Sequence, residues 1–168
     1  MKTSDIGRIL LAFLIAVVVA IAWGSVVQTQ YNLAALSSIG VDVDTVRMNT
    51  TLRDLFSGFF PTYGGYIVLP SLLVAFIAAW LVMWKWLPAD PLAARLALFA
   101  LAGGLAILIG IPLVNWLSPL ALLIGASRDF SCTAWMAVGG AVAGLIFAAM
   151  THRRWMPAER QAAERQAA

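Results

Sequence analysis

The sequence from Ile9 to Val27 reads ILLAFLIAVVVAIAWGSVV and contains no charged residue. A helix of about 20 apolar residues crosses the hydrocarbon core of a bilayer, which is about 30 Å thick. The stretch therefore predicts a transmembrane helix, and its flank with Arg8 extends the predicted span to residues 6–27. A basic start followed by an apolar run is also typical of a secretory signal peptide. Because this run is long enough to span the membrane, we expect an uncleaved anchor.

Three further stretches have the same character, and they predict spans at residues 66–87, 92–114 and 133–150. The connecting sequence then forms an outer loop at residues 28–65 and a tail at residues 151–168. No separate soluble domain fits into what remains. The sequence predicts an all-α fold with a single transmembrane domain, an integral membrane bundle of four transmembrane helices.

The composition of the whole chain supports this class. Of the 168 residues, 62% are apolar and 11% are charged, whereas ordinary soluble domains are about 45–50% apolar and about 25% charged. The mean hydropathy of +0.89 points the same way. The net charge is 11 − 8 = +3. We expect the lipid bilayer to surround the chain, and no nucleic acid to bind it, because the basic residues stand at the ends of the predicted spans.

Lysine and arginine residues are divided unevenly between the two sides of the predicted bundle. One side holds eight, which are Lys2, Arg8, Lys85, Arg95, Arg153, Arg154, Arg160 and Arg165. The other side holds three, which are Arg47, Arg53 and Arg128. Because basic flanks stay in the cytoplasm, we expect both termini there. The expected location is a bacterial inner membrane.

Aromatic residues cluster at the ends of the predicted spans. Trp80, Trp84 and Trp86 stand at the cytoplasmic end of the second span. Trp23, Tyr31, Tyr63 and Tyr66 stand at the outer ends of the first two spans. This placement is typical of the aromatic belts that lie at membrane–water interfaces.

The apolar stretch after the third span contains Pro112 and Pro119. Proline lacks a backbone N–H and kinks or ends a helix. We therefore expect the third helix to bend or stop near Pro112. Residues 115–126 would then lie in the outer interface or fold partly back into the protein.

Small side chains recur at every fourth position in the predicted spans. Residues four apart lie on one helix face, and small side chains let helix backbones approach closely inside a membrane. The predicted helix-packing residues are Ala12, Ala16, Ala20, Gly24, Ala102, Ala106, Gly110, Gly140, Gly144 and Ala148. These rows can pack within one bundle or against another copy or subunit, and the sequence does not decide between the two.

The outer loop contains one amphipathic pattern. Asn49, Thr50 and Thr51 can cap a helix N-terminus, and Pro61 would end that helix. The apolar stripe consists of Leu52, Leu55, Phe56, Phe59 and Phe60, spaced as on one helix face. We expect a short amphipathic helix that either lies in the outer interface or packs over the bundle as a lid. A lid could gate a lateral opening for a lipid-like molecule.

The sequence predicts no catalytic, cofactor-binding or metal-binding residues and no cofactor. The chain has one cysteine, Cys132, and one histidine, His152, too few for an internal disulfide, a His-based triad or a zinc site. No charged residue lies in the middle of a predicted span, where proton relays and ion pathways place them. A divalent cation on Asp42, Asp44 and Asp54 is a weaker alternative to a solvated loop.

Two functions from different classes follow from these observations. The first is a non-catalytic polytopic membrane protein that acts as a self-associating or accessory subunit of a membrane assembly, with itself or another membrane protein as partner. The alternative is a channel or carrier for a neutral or lipid-like solute. A membrane enzyme is the least favoured class.

Overall fold

The computed structural model describes residues 3–57, 62–87, 90–117, 129–152 and residue 166, and every regular element in these ranges is helical. The elements are α1 (Thr3–Ser38), α2 (Arg47–Ser57), a π-helical segment (Thr62–Val68), α3 (Leu69–Trp86), α4 (Leu92–Leu117) and α5 (Phe130–Thr151). The π-helical segment runs directly into α3. Four stretches are long and apolar enough to cross a membrane. The predicted all-α bundle of four spans, with a short helix between the first two, is confirmed.

The four long helices run antiparallel in sequence order. Trp23 of α1 lies against Gly139 of α5, and Gly103 of α4 lies against Gly140 of the same helix. Helix α5 therefore packs between α1 and α4, and α3 packs on α4, with Phe76 of α3 also reaching Phe147 of α5. We call the end where α1 begins and α5 ends the terminal side, and the other end the α2 side.

Helix α1 is much longer than the span predicted for it. Its 36 residues extend about 54 Å at 1.5 Å per residue, against a hydrocarbon core of about 30 Å. Residues 28–38, which the sequence placed at the start of the outer loop, thus continue the helix. They contain neither glycine nor proline, the residues that most often interrupt one. The helix ends just before Gly40, whose φ of 86° is the left-handed conformation that commonly closes helices.

Helix α4 passes through Pro112 and ends at Leu117. Of the two outcomes predicted near the proline, a bend or a stop, the stop is therefore wrong. Proline removes one backbone hydrogen bond, and membrane helices tolerate this because neighbouring groups take over the freed carbonyl. Of the predicted interfacial stretch 115–126, residues 118–126 lie outside the described residues.

Helices α4 and α5 touch backbone to backbone. A Cβ atom built on Gly103 would overlap the Gly140 carbonyl, and one built on Gly144 would overlap the carbonyl of Phe99. By contrast, a Cβ on Gly104 would lie 3.5 Å from the nearest atom, the carbonyl oxygen of Ala137, which is ordinary contact. The two helices can be this close only with glycine at the crossing point.

One phenylalanine from each long helix meets at the centre of the bundle. The rings of Phe76 and Phe147 stack at 4.7 Å between centroids, and Phe99 lies 5.6 Å and 5.3 Å from them. Phe13 of α1 meets Phe76 edge-on at 6.2 Å. Such pairs contribute about 0.5–1.5 kcal/mol each beyond the area they bury, so this cluster ties α1, α3, α4 and α5 together in the half of the bundle nearer the terminal side.

The tryptophans at the bundle ends serve two purposes. Trp84 and Trp86 on the terminal side and Trp116 on the α2 side are each at least 71% exposed, as expected of residues in an interfacial belt. Trp23 differs, since its indole N–H donates to the carbonyl of Trp135 at 2.8 Å. It links α1 to α5 as well as facing the surroundings.

We expect Gly103→Ala to destabilise the bundle by about 1–3 kcal/mol, the usual cost of overpacking, because the added methyl group meets backbone that has no room to shift. Gly104→Ala is the matched control and should leave stability unchanged or slightly raised, since alanine favours helix. Thermal unfolding of both variants in detergent micelles checks this. Equal melting temperatures for the two would contradict the backbone contact.

Candidate functional site

The bundle is open along one edge, between α1 and α3. Around mid-depth and toward the terminal side, these helices meet chiefly through the Phe13–Phe76 edge contact. The gap is a cleft of about 300 Å³, which we call the lateral cleft. Its walls include Ile9, Phe13, Leu73, Phe76 and Trp80, and Phe147 of α5 forms part of its floor. The lining is almost wholly apolar, so in a membrane the cleft faces lipid.

The π-helical segment closes the lateral cleft toward the α2 side. The ring of Tyr63 packs directly on Gly24, where any Cβ atom would overlap it. Tyr63 and Ile67 are both fully buried. Segments of π-helix are rare and frequently occur at functional sites. The sequence alone pointed to neither the π-helical segment nor the burial of Tyr63.

Three buried oxygen atoms belong to residues of α1 and of the π-helical segment. They are Ser25 Oγ, Gln28 Oε1 and Tyr63 Oη, and none of them has a hydrogen-bond partner among the described residues. Their residues are at most 5% exposed. A buried polar group without a partner costs about 1–3 kcal/mol, and native proteins contain few of them. We call these three residues the polar trio.

The sequence analysis missed the polar trio, although one signal was available. The row Ala12, Ala16, Ala20 and Gly24 continues with Gln28 at the same four-residue spacing. Placing the start of the outer loop at residue 28 removed Gln28 from the helix. The structure returns it to the packed face of α1.

Helix α2 is attached to α1 by polar side chains. The Thr29 hydroxyl donates to Asp54 Oδ2 at 2.8 Å, and Gln30 Nε2 donates to Thr51 Oγ1 at 2.9 Å. Arg47 Nη1 donates to Gln30 Oε1 at 3.2 Å. Asp54 therefore has a structural partner. Within the described ranges, no group of three His, Cys, Asp or Glu residues could hold a metal ion.

The apolar side of α2 points away from the bundle. None of its residues is buried, and Phe56 and Met48 are 86% and 69% exposed. Leu52 is also exposed, while Leu55 is half-buried over an apolar groove of about 410 Å³ along α1. Phe59 and Phe60 of the predicted stripe lie outside the described residues. The described part of α2 thus keeps its polar side on α1 and offers its apolar side to the surroundings.

The predicted helix-packing residues face neighbours within the same chain. Ala12, Ala16, Ala20, Gly24, Gly110, Gly140, Gly144 and Ala148 are buried, and Ala102 and Ala106 are half-buried beside the core. The closest approach of α4 uses Gly103, one position beyond Ala102. The rows are occupied by contacts between α1, α4, α5 and the π-helical segment.

A buried ion pair fastens the terminal side. Arg95 is 1% exposed, and its Nη1 lies 3.1 Å from Asp90 Oδ2. Its Nε donates to the Ala148 carbonyl at 3.3 Å, and its Nη2 donates to Thr151 Oγ1 at 2.8 Å. The C-terminal carbonyls of a helix attract positive charge. Arg95 therefore joins the start of α4 to the end of α5.

The sequence analysis used Arg95 only as a flanking charge that sets orientation. The acidic residue five positions earlier, Asp90, is the signal that could have suggested a buried pair. The contact of Arg95 with the end of α5 depends on the tertiary fold.

The described residues bring together no nucleophile and base. Cys132 is buried near the start of α5, where its thiol lies 3.9 Å from the sulfur of Met136. His152 follows the opposite end of the same helix, with Nε2 3.3 Å from the Asp90 carbonyl oxygen. Among these residues, the geometry supports binding rather than bond-making chemistry.

We expect Arg95→Met to destabilise the bundle by about 3–5 kcal/mol, because it leaves the buried Asp90 carboxylate without its partner. Lys85→Met is the control, since Lys85 is an exposed cation at the same end of the bundle. Unfolding in detergent micelles measures both. A loss for Arg95→Met no larger than that for Lys85→Met would show that the pair does not hold α4 to α5.

We expect the two sides of α2 to react differently with a membrane-impermeant maleimide. In a Cys132→Ala background reconstituted in liposomes, Phe56→Cys should be modified several-fold more slowly than Ser57→Cys, although both positions are exposed in the protein alone. The reason is that the Phe56 side lies in lipid. Equal rates of maleimide modification for the two variants in the folded protein would place both sides of α2 in water.

Comparison with known proteins assigns no family to this chain. No protein-family model, no curated protein and no solved structure matches it. The features that bear on function are therefore the lateral cleft, the polar trio and the outward side of α2.

Proposed function

We propose that this integral membrane protein is a non-catalytic carrier that holds the hydrocarbon chain of a lipid-like molecule in the lateral cleft. The observation that supports this is the separation of α1 from α3, which leaves a lined cleft open toward the bilayer. A tightly closed bundle would present ridges and shallow grooves to lipid instead.

The size and lining of the lateral cleft suit a single chain. Ligand pockets measure about 300–1,000 Å³, and this cleft, at about 300 Å³, is at the small end of that range. Its aromatic and aliphatic walls contribute almost no polar group, so the part of the ligand that lies inside the cleft is a hydrocarbon chain. The exposed Leu10 and Leu73 border its opening, which gives a chain access directly from the membrane.

The orientation of the chain is part of the proposal. The excess of lysine and arginine on the terminal side favours both termini in the cytoplasm of a bacterial inner membrane. Helix α2 then lies at the outer surface, level with the outer end of the α1 span, because it is bonded to Thr29 and Gln30. Its apolar side would rest among the outer lipid headgroups.

The apolar side of α2 also favours a second candidate, an accessory subunit of a membrane assembly. Phe56 and Met48 project from α2, and no described residue buries either of them. Contiguous exposed apolar surface marks membrane or protein contacts. Self-association through the small-residue rows is disfavoured, because contacts within the chain already occupy them.

We expect Leu73→Trp to reduce the lipid that remains bound when the protein is extracted gently from its own membranes, because the larger side chain occupies the lateral cleft. Leu105→Trp is the matched control. Leu105 and Leu73 are 42% and 44% exposed, but Leu105 lies on α4, away from the cleft. Native mass spectrometry counts the bound molecules.

Equal lipid occupancy in the two variants would contradict the carrier proposal. A second polypeptide at a fixed ratio, retained in both variants, would instead establish the accessory subunit. Its loss in Phe56→Asp would identify α2 as the contact.

A further inference from the structure

We propose that the polar trio is the site for an uncharged, hydrogen-bonding headgroup, and that Tyr63 is the gate between this site and the lateral cleft. This inference rests on the proposed carrier function and adds the chemical class of its ligand, a single-chain amphiphile with a hydroxyl- or amide-bearing head. The trio and the lateral cleft would hold the two ends of one molecule.

The polar trio occupies a compact part of α1. Ser25 and Gln28 are three positions apart, and Gln28 lies one turn beyond Gly24 on the same face. Long side chains in helices lean toward the N-terminus, which places the Gln28 amide over Gly24. The ring of Tyr63 packs at that glycine. The three oxygens therefore lie around one short section of the contact between α1 and the π-helical segment.

The hydrogen-bonding chemistry of the polar trio defines the head. Gln28 Oε1 is an acceptor and needs a donor, whereas the hydroxyls of Ser25 and Tyr63 can both donate and accept. Two charged groups of α2 that bond to this end of α1 have partners there, since Asp54 accepts from Thr29 and Arg47 donates to Gln30. An ionised head would find no counter-charge among the trio. A neutral head with at least one N–H or O–H donor satisfies all three oxygens.

The distance along α1 suits a lipid chain. From Gly24 to Phe13 is eleven residues, or about 16 Å at 1.5 Å per residue. One leaflet of the hydrocarbon core is about 15 Å thick, half of the full core. A chain whose head lies at the polar trio would therefore end beside Phe13 and Phe76, within the lateral cleft.

In the present conformation Tyr63 is fully buried against Gly24, and the fully buried Ile67 and Leu72 follow it before the residues that line the lateral cleft begin at Leu73. The segment that carries Tyr63, Thr62–Val68, has π-helical hydrogen bonding and contains Gly64 and Gly65. A return of this segment to α-helical hydrogen bonding would rotate Tyr63 relative to α3 and uncover Gly24. The unpartnered oxygens lower the stability of the closed conformation, in which Tyr63 packs on Gly24. A ligand that bonds to these oxygens therefore favours the open conformation, in which Gly24 is uncovered.

The test uses the purified full chain in nanodiscs and two photoactivatable probes. One is a monoacylglycerol with a diazirine at the end of its chain, and the other is the fatty acid with the same chain and diazirine. We expect the monoacylglycerol to label the peptides that contain Phe13 and Phe76. Its labelling should fall several-fold in Gln28→Leu and in Tyr63→Phe and should be unchanged in Tyr31→Phe. Tyr31 offers a matched hydroxyl on the same side, bonded to Ser131 at 2.7 Å.

Thermal stability provides the second measurement. Because Gln28 Oε1 and Tyr63 Oη have no hydrogen-bond partners within the described part of the chain, Gln28→Leu and Tyr63→Phe should melt at or above the temperature of the wild type. Retained stability with reduced labelling would show that the trio serves binding rather than folding. A melting temperature that falls in parallel with labelling would overturn the proposal.

The remaining outcomes separate this inference from the carrier function. Cleft labelling that is equal in the wild type, Gln28→Leu and Tyr63→Phe would overturn the headgroup site and leave the lateral cleft as a chain site. Labelling by the fatty acid as strong as that by the monoacylglycerol would overturn the requirement for an uncharged head. Absence of labelling at both cleft peptides, with either probe, would overturn the carrier function itself.

Discussion

The rest of the bundle depends on the backbone contact between α4 and α5 at Gly103, Gly140 and Gly144. Lipid tails are as apolar as the side chains of a protein interior. Helices in a membrane therefore associate through close packing and hydrogen bonds rather than through hydrophobic burial. The glycine crossing gives α5 the central position. With α1 and α4 packed on α5 and α3 packed on α4, the first and second spans, α1 and α3, are left with a gap between them. The lateral cleft is the geometric consequence of this order.

Buried polar groups lie toward the two ends of the bundle, and the two sets differ in kind. On the terminal side, Arg95 satisfies its charge with Asp90, Thr151 and a helix carbonyl. Such a network holds two elements together and has little capacity left for a ligand. On the α2 side, the polar trio is as deeply buried, but its three oxygens have no hydrogen-bond partner in the ranges that the structure describes. This contrast is the physical reason for assigning stability to the first set and binding to the second.

Helix α2 reverses the arrangement familiar from soluble proteins, where an amphipathic helix buries its apolar side against the core. Here the polar side contacts the protein through Thr29 and Gln30, and the side with Phe56 faces outward. An apolar side that faces outward is stable only if the medium around α2 is itself apolar. This orientation agrees with a position of α2 in the membrane interface at the end of a span. No residue of α2 lines the lateral cleft.

The sequence by itself determined the membrane class, the four spans and the amphipathic pattern of α2. These follow from composition and periodicity within single segments, which local chemistry controls. It also marked small residues as packing positions, but it placed the α4 row at Ala102 and missed Gly103, because alanine is common enough to form rows by chance. The continuation of α1 past residue 27, the burial of Arg95, the lateral cleft and the polar trio were decided by tertiary structure. Each of these except the length of α1 depends on residues distant in the chain, such as Gly24 with Tyr63 or Arg95 with Thr151. Contacts of that kind arise only when the order and crossing points of the helices are known.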